Sequence, residues 1–361
     1  MNDKKLRTLL VCGVCPGPPE AAELVSACKS LGRDGVYGAA KKGKILPFAA
    51  KTLTELGLDT DFWNGVLSQY RQRNCAIVSL LDRAYEALEQ TGVKKMFVSE
   101  NFGALLSAGE DLALFASSDV DNYAPIEEKE KIYAAMERLG WRKQERFAGK
   151  RQIAAEFFPS DDRLPQNFYF SVDFYPLARL KLPCFIDGDR FVDWNGLTRY
   201  RDTHIALAPR EALTYICLMH TSLHSFCRAP DTRLYVDLRN LETLRPDCDV
   251  IARWCRRDGT CVRAAVAAEL SNRLMGTRYP PVLTEGGNRA ARLVSRVYDA
   301  DTGCLADEPG GLEILKIDMM CDDVSDGRGL KKMLFPDRAW MASVYGGSGV
   351  SAHLRHFRRM I

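Results

Sequence analysis

Nowhere in the chain do apolar residues run for the ~20 positions that a membrane-spanning helix needs. The N-terminal "MNDKKLRTLLVCGVC" carries basic residues before a short apolar run, which then meets "PGPPE". That run sits at the lower limit of the about 7–15 apolar residues of a signal peptide, so a buried strand or a frayed end is expected instead. Charge of one sign is missing too. The 50 lysines and arginines against 47 acids leave a formal net charge of +3, which argues against a protein that coats nucleic acid but allows a local basic cleft.

The 12 cysteines lack a pattern rather than number. From Cys12 to Cys321 they are scattered without a framework of short spacings. Reduced thiols in a cytoplasmic protein are therefore expected, not a disulfide scaffold. Cys12 and Cys15 form a lone C-x-x-C with no second pair to complete a zinc site, and Cys255 and Cys261 flank "RRDGT", a turn between helices. Internal repeats and low-complexity tracts are absent as well.

With 46% hydrophobic and 27% charged residues, the 361-residue chain has room for two or three packed units. Residues 1–45 give little periodic signal. From Asp61 to about Gly92, Phe62, Val66, Tyr70, Ile77, Leu80, Leu81, Tyr85 and Leu88 recur at three- and four-residue steps, the pattern of a long amphipathic helix. Asp59, Thr60 or Asp61 offers a cap and "TG" at 91–92 an end. A short strand "KKMFVS", a turn into a helix at "ENFGALLSAGE", a helix over 125–141 and strands at 151–158 and 167–175 follow. From Pro209 onward the pattern is helical, near 209–228, 231–245, 248–276, 284–299 and 349–360. The order defines an α+β class. Its expected units are an N-terminal helical segment at 1–92, a core at 93–180, and a mainly helical domain at 181–361.

"FASSDVDNYAP" at 115–125 sets Asp119 and Asp121 one residue apart. Two like charges at ~4 Å cost on the order of 4 kcal/mol at an effective dielectric of about 20. Either water screens them in a solvated turn, or a hard cation such as Mg²⁺ turns the repulsion into a site. "NFYFSVDFYPL" adds Asp173 among Phe170, Val172 and Phe174, where a carboxylate is costly unless something ionic meets it. A D-x-D pair with a third acid on a neighbouring strand is the arrangement that two-metal phosphoryl chemistry requires. Glu156 on "RQIAAEFF" is the next acid should Asp173 face away. Gly103, between a strand and a helix, offers backbone N–H groups to phosphate oxygens. His220 and His224 stand four apart on one helical face without the glutamate of a metalloprotease. Packing or acceptor-side contacts are expected of them rather than metal binding.

Over roughly residues 45–361 the chain resembles the uncharacterised bacterial nucleotidyltransferase proteins of the polymerase-β-like superfamily. "LLDRAYEALEQTGVKKMFVSENFGALL" resembles the family's helix, strand and glycine turn. "SSDVD" falls where its metal-binding D-x-D lies, and "YFSVDFYPL" is similar to its third-acid strand. "LMHTSLHSFCRAPDTRLYVDLRNLE" resembles its segment of paired histidines and a helix-borne aspartate, here Asp237. "LFPDRAWMASVYG" before a basic last helix resembles its C-terminal signature.

The resemblance implies a polymerase-β-like nucleotidyltransferase core, a small mixed sheet with helices, between N-terminal helices and a C-terminal helical domain. It implies transfer of a nucleoside monophosphate from a nucleoside triphosphate, ATP among the candidates, to an unidentified small molecule, peptide, protein or saccharide. Asp119, Asp121 and Asp173 would hold Mg²⁺ or Mn²⁺, with Asp173 acting as or assisting the base. The Gly103 and Ala104 amides, with Ser107, Ser117 or Ser118, would receive phosphates. Neither a membrane nor an extended nucleic-acid surface is implied. Two cations of the family pattern are missing: Phe102 replaces the lysine before the glycine, and "LFASSDVD" has no arginine in the few residues before Asp119. Lys150 and Arg151 are candidate substitutes. The same departures define an alternative, a catalytically retired protein that binds a nucleotide, peptide or protein partner in the same cleft.

Overall fold

A computed structural model describes residues 3–12, 18–148, 151–160, 164, 167–174, 190–228, 232–321, 335–336 and 338–360. Cys15, Lys150 and Tyr175 lie outside the described residues, as does the side chain of Arg151.

The chain begins with helices α1 (Asp3–Cys12), α2 (Pro18–Lys42), α3 (Leu46–Glu55) and α4 (Thr60–Gln90). The first apolar run is thus neither strand nor frayed end. Leu6 and Leu10, 2% and 0% exposed, stand four residues apart on the buried side of a helix, and that period decides the outcome. They join Leu24, Val36, Ala50, Trp63 and Val66 in an N-terminal core. Helix α2 is interrupted at Gly32, whose φ of 69° and ψ of 168° lie outside helical space. In α4 the apolar stripe read from sequence is the buried stripe. Its first half serves the N-terminal core, while Ile77, Leu80, Leu81, Ala84, Tyr85 and Leu88 serve the core under the sheet. Asp59 takes the cap position without a side-chain cap bond, and Gly92 ends the helix at a φ of 78°.

Next come β1 (Phe97–Val98), α5 (Glu100–Ala108), β2 (Asp119–Tyr123), α6 (Lys129–Arg138), β3 (Arg142–Ala148), β4 (Arg151–Phe158), β5 (Tyr169–Asp173), β6 (Thr198–Arg199) and β7 (Ala206–Leu207). They form one mixed sheet in the order β3-β4-β5-β2-β1-β7-β6. β2 pairs parallel with β5 and β1 parallel with β7, and the other pairings are antiparallel. Two strands from beyond residue 180 therefore belong to the sheet. The edge strand β3, "RKQERFA", was not legible from alternation, because charged side chains suit an edge that must not recruit other strands.

One face of the sheet rests on α4 and α6 through Val120, Ala155, Phe157, Phe170 and Val172. The other turns toward the C-terminal helices α7 (Arg210–Leu223), α8 (Arg233–Thr243), α9 (Cys248–Asp258), α10 (Cys261–Met275), α11 (Pro281–Thr284) and α12 (Gly287–Val297). Phe97 and Tyr123 lie in the core of these helices. The helical span 248–276 is divided at the "RRDGT" turn, where Gly259 at a φ of 68° closes α9 in the left-handed conformation. A small hairpin of β8 (Tyr298–Asp299) and β9 (Cys304–Leu305) follows, then α13 (Gly311–Met320), α14 (Arg338–Tyr345) and α15 (Val350–Met360).

Helix α5 lies tight against both β1 and α7. A Cβ on Gly103 would stand 2.5 Å from the Val98 carbonyl oxygen and 3.2 Å from Leu213 Cδ2. Backbone cannot swing aside as a flexible side chain can. We expect Gly103→Ala to destabilise the protein by about 1–3 kcal/mol, the usual cost of overpacking, measured as a lower denaturant midpoint. An unchanged midpoint would show that α5 can lift off the strand at no cost.

Candidate active site

Strand β2 alternates its side chains: Val120 and Asn122 are buried at 0% exposure, while Asp119 and Asp121 face the other way. Asn122, a polar side chain on the buried side of the strand, is a hydrogen-bonded pin. The Tyr85 hydroxyl donates to its Oδ1 at 2.8 Å, and its Nδ2 donates to the carbonyls of Val120 at 3.1 Å and Ser171 at 2.9 Å. Helix α4, β2 and β5 are thereby tied together directly behind the aspartates.

The parallel register sets Asp119 beside Tyr169, Asp121 beside Ser171 and Tyr123 beside Asp173. Paired residues project to the same face, so Asp173 shares the face of Asp119 and Asp121. Glu156 pairs with Ser171 and lies on that face as well, ion-paired with Arg146. The Tyr169 hydroxyl donates to Asp119 Oδ2 at 2.8 Å, and the Ser117 hydroxyl donates to Asp119 Oδ1. Ser117, expected at a phosphate, here orients an acid. The Ser118 carbonyl accepts the Tyr169 N–H at 3.4 Å, and the Ser107 hydroxyl on α5 is buried without a partner.

The expectation for Gly103 and Ala104 needs correction. The Gly103 N–H is already donated to the Ser99 carbonyl at 3.1 Å, and both residues are buried within α5. The amides without an intrahelical acceptor belong to the turn before, at Glu100, Asn101 and Phe102. Phe102, where the family has its lysine, is fully buried with its ring 4.3 Å from that of Phe115.

Helices α5, α7 and α8 also bring side chains to this face. Glu100 opens α5 at a φ of 49°, and its Oε2 lies 2.9 Å from His220 Nδ1 of α7. Glu100 and His220 keep side-chain exposures of 13% and 15%, so the helices nearly close the face. The His224 ring stands 5.0 Å from that of His220. Asp237 of α8 is 7% exposed and acts electrostatically on both Glu100 and His220. The histidine is therefore part of the acid site. Glu100 escaped notice in the sequence, although a carboxylate at the end of an apolar strand and just before a glycine turn was the available signal.

Crowding of buried acids dominates the electrostatics. Burial, then the charges of Glu100, Asp119 and Asp173, holds Asp121 well above the usual carboxylate range. Burial and Glu100 push Asp173 up to about 8, against the pull of Arg146 and His220. Burial and Asp119 push Glu100 up to about 8, opposed by its hydrogen bond with Asp121. Asp237 is raised to about 6 by burial, against Arg233 and His220. Burial holds His220 below its ordinary value, although Asp121 and Asp237 favour its charged form. These oxygen donors fit a hard cation such as Mg²⁺ or Mn²⁺, which would relieve the repulsion. Among the described residues, however, no three acid, histidine or cysteine side chains stand close enough together to hold an ion as placed. An open groove of about 1150 Å³ lies elsewhere, between α10, α12 and β8, and contains none of these acids.

No protein-family model matches the chain, and no curated protein does. Among solved structures the chain is similar to the solution structure of the antibiotic-resistance factor ANT(2'')-Ia, an aminoglycoside nucleotidyltransferase. The similarity spans 51% of this chain and 94% of that one, at 13% identity and a TM-score of 0.36. A likeness at that level carries no argument about function.

Raised acids weaken the folded state as pH rises. Glu100 and Asp173 ionise near 4 when unfolded but only near about 8 when folded, so their cost grows across that interval and is complete above it. His220, shifted down, adds its cost only below about pH 6.5, where the unfolded histidine is protonated. Between about pH 6.5 and 8 the acids act alone. Melting temperature in metal-free buffer should fall across that window, and added Mg²⁺ should flatten the slope. A melting temperature that rises there would contradict the acid cluster.

Proposed function

We propose that the protein is a nucleotidyltransferase that moves a nucleoside monophosphate from a nucleoside triphosphate to an acceptor in a reaction dependent on Mg²⁺ or Mn²⁺. One observation carries this reading: the parallel pairing of β2 with β5 puts Asp119, Asp121 and Asp173 on one face, where burial and neighbouring carboxylates hold Asp121 and Asp173 above the usual carboxylate range. The sequence resemblance points the same way.

In this reading Asp119, Asp121 and Asp173 would hold the cation, with Ser117 and Tyr169 fixing the direction of Asp119. Held there, it would supply the positive charge that offsets the phosphates and the attacking and leaving oxygens. Asp173 would accept the proton of the acceptor's nucleophile or assist its removal. The near-closed face, with α7 and α8 over the acids, keeps bulk water from competing as acceptor. Asn122 and Tyr85 hold β2 and β5 in register throughout.

Phe102 favours a second reading. Its burial in the core at the place of the family's lysine suits a retired scaffold that binds a partner without turnover. The two readings separate on metal coupling. Triphosphate binding by the wild type should require Mg²⁺, and Asp119→Asn should abolish that coupling. The substitution should shift the stability of the metal-free protein by about 1 kcal/mol or less, because lost repulsion offsets a weakened hydrogen bond. Titration calorimetry with ATP and GTP, in Mg²⁺ and in EDTA, measures this. Equal affinities for wild type and variant under both conditions would establish the scaffold.

A further inference from the structure

The triphosphate lacks an obvious cation in the places where the sequence resemblance seeks one. Phe102 occupies the lysine position, and the residues 114–118 just before Asp119 include nothing basic. A cation stands on the opposite wall. Arg233 opens α8 and is 7% exposed, with a buried Nε that makes no hydrogen bond. Its charge acts on Glu100 and Asp237, lowering both, and on His220.

That placement is expensive in two ways. A guanidinium in the first turn of a helix meets the positive end of the helix dipole. A buried cation without a complete set of acceptors also forfeits solvation. Asp237 one turn along and Glu100 across the seam offset part of that cost by charge, yet Nε stays unmatched. The guanidinium is a planar fork of donors suited to two oxygens of one phosphate. Glu100, on which Arg233 acts, belongs to the first turn of α5, whose amides have no intrahelical acceptor. In the same turn, Asn101 is 6% exposed and its Oδ1 has no partner. Helices α5 and α8 pack directly against each other, so a buried cation with an unused donor sits on the helix that meets the turn whose amides have no intrahelical acceptor.

We propose that Arg233 is a phosphate-binding residue of this site, supplied by the C-terminal helices in place of the missing lysine and arginine. It grips the phosphates that leave as pyrophosphate, together with the first-turn amides of α5. The inference rests on the nucleotidyltransferase reading and names the residue that recognises the leaving group.

Inorganic pyrophosphate tests it without choosing a base or an acceptor. Calorimetric titration with pyrophosphate in Mg²⁺ compares wild type, Arg233→Gln and Arg233→Lys, each checked by circular dichroism and melting temperature. Loss of a charge-assisted pair should weaken binding by about tenfold or more in Arg233→Gln. Arg233→Lys, a point charge without the fork, should fall between the two. Affinity for Mg²⁺ alone should not fall in either variant, since a positive charge leaves or stays while the acids are untouched. Unchanged pyrophosphate affinity in folded Arg233→Gln would reduce Arg233 to a counter-ion of the acids and overturn the inference, leaving the nucleotidyltransferase reading intact. Should Arg233→Gln fail to fold, an unchanged affinity in Arg233→Lys would overturn it equally. A wild type that ignores pyrophosphate in Mg²⁺ would remove the nucleotidyltransferase reading itself, and this inference with it.

Discussion

The parallel pairing of β2 with β5 is the constraint around which the rest of the structure is arranged. It lines up Asp119, Asp121 and Asp173 on one face of the sheet, and no arrangement of their neighbours can remove the resulting repulsion. Neighbours can only hold the strands in place against it. Asn122 does so from behind, bonded to both strands and to Tyr85 of α4. The apolar back face does so by burial, with Val120, Phe170 and Val172 at 0% exposure. The carboxylates are thus retained by packing on the opposite surface, as expected where a functional site stores unfavourable energy that the fold offsets elsewhere.

On the acid face itself, partial compensation comes from several directions. Arg146 ion-pairs with Glu156 and moderates Asp173, His220 meets Glu100, and Ser117 and Tyr169 satisfy Asp119. None of these groups comes from the D-x-D strand. The site is therefore a property of the assembled sheet and the helices over it.

The sequence was most readable where one period dominates. The stripe of α4 and the strands at 151–158 and within 167–175 follow from spacing alone, since each buries one face, whereas the face that Asp173 shares with Asp119 and Asp121 follows only from the parallel register. It was least readable where burial does not set the pattern. The edge strand β3 is charged because it is an edge, and α1 is too short for its period to stand out from a strand's. In the site, the aspartates were legible because acids in apolar strands are conspicuous. Glu100 and Arg233 were not, because their position depends on which helix crosses which strand; His220 stood out by its spacing from His224, but its meeting with Glu100 did not. The glycine misled for a related reason: Gly103 looks like a phosphate turn in sequence, while in the fold it is the point where α5 touches the Val98 carbonyl.

Helix α4 has one more consequence. Its 31 residues extend for about 46 Å, and one end lies in the N-terminal core while the other lies beneath the sheet. A rod shared between two cores cannot melt at one end without loosening its grip at the other. The N-terminal helices and the sheet are thereby joined into one cooperative unit, in which heat or denaturant acts on both together, and the N-terminal core serves as a mechanical brace for the strands above the far end of α4.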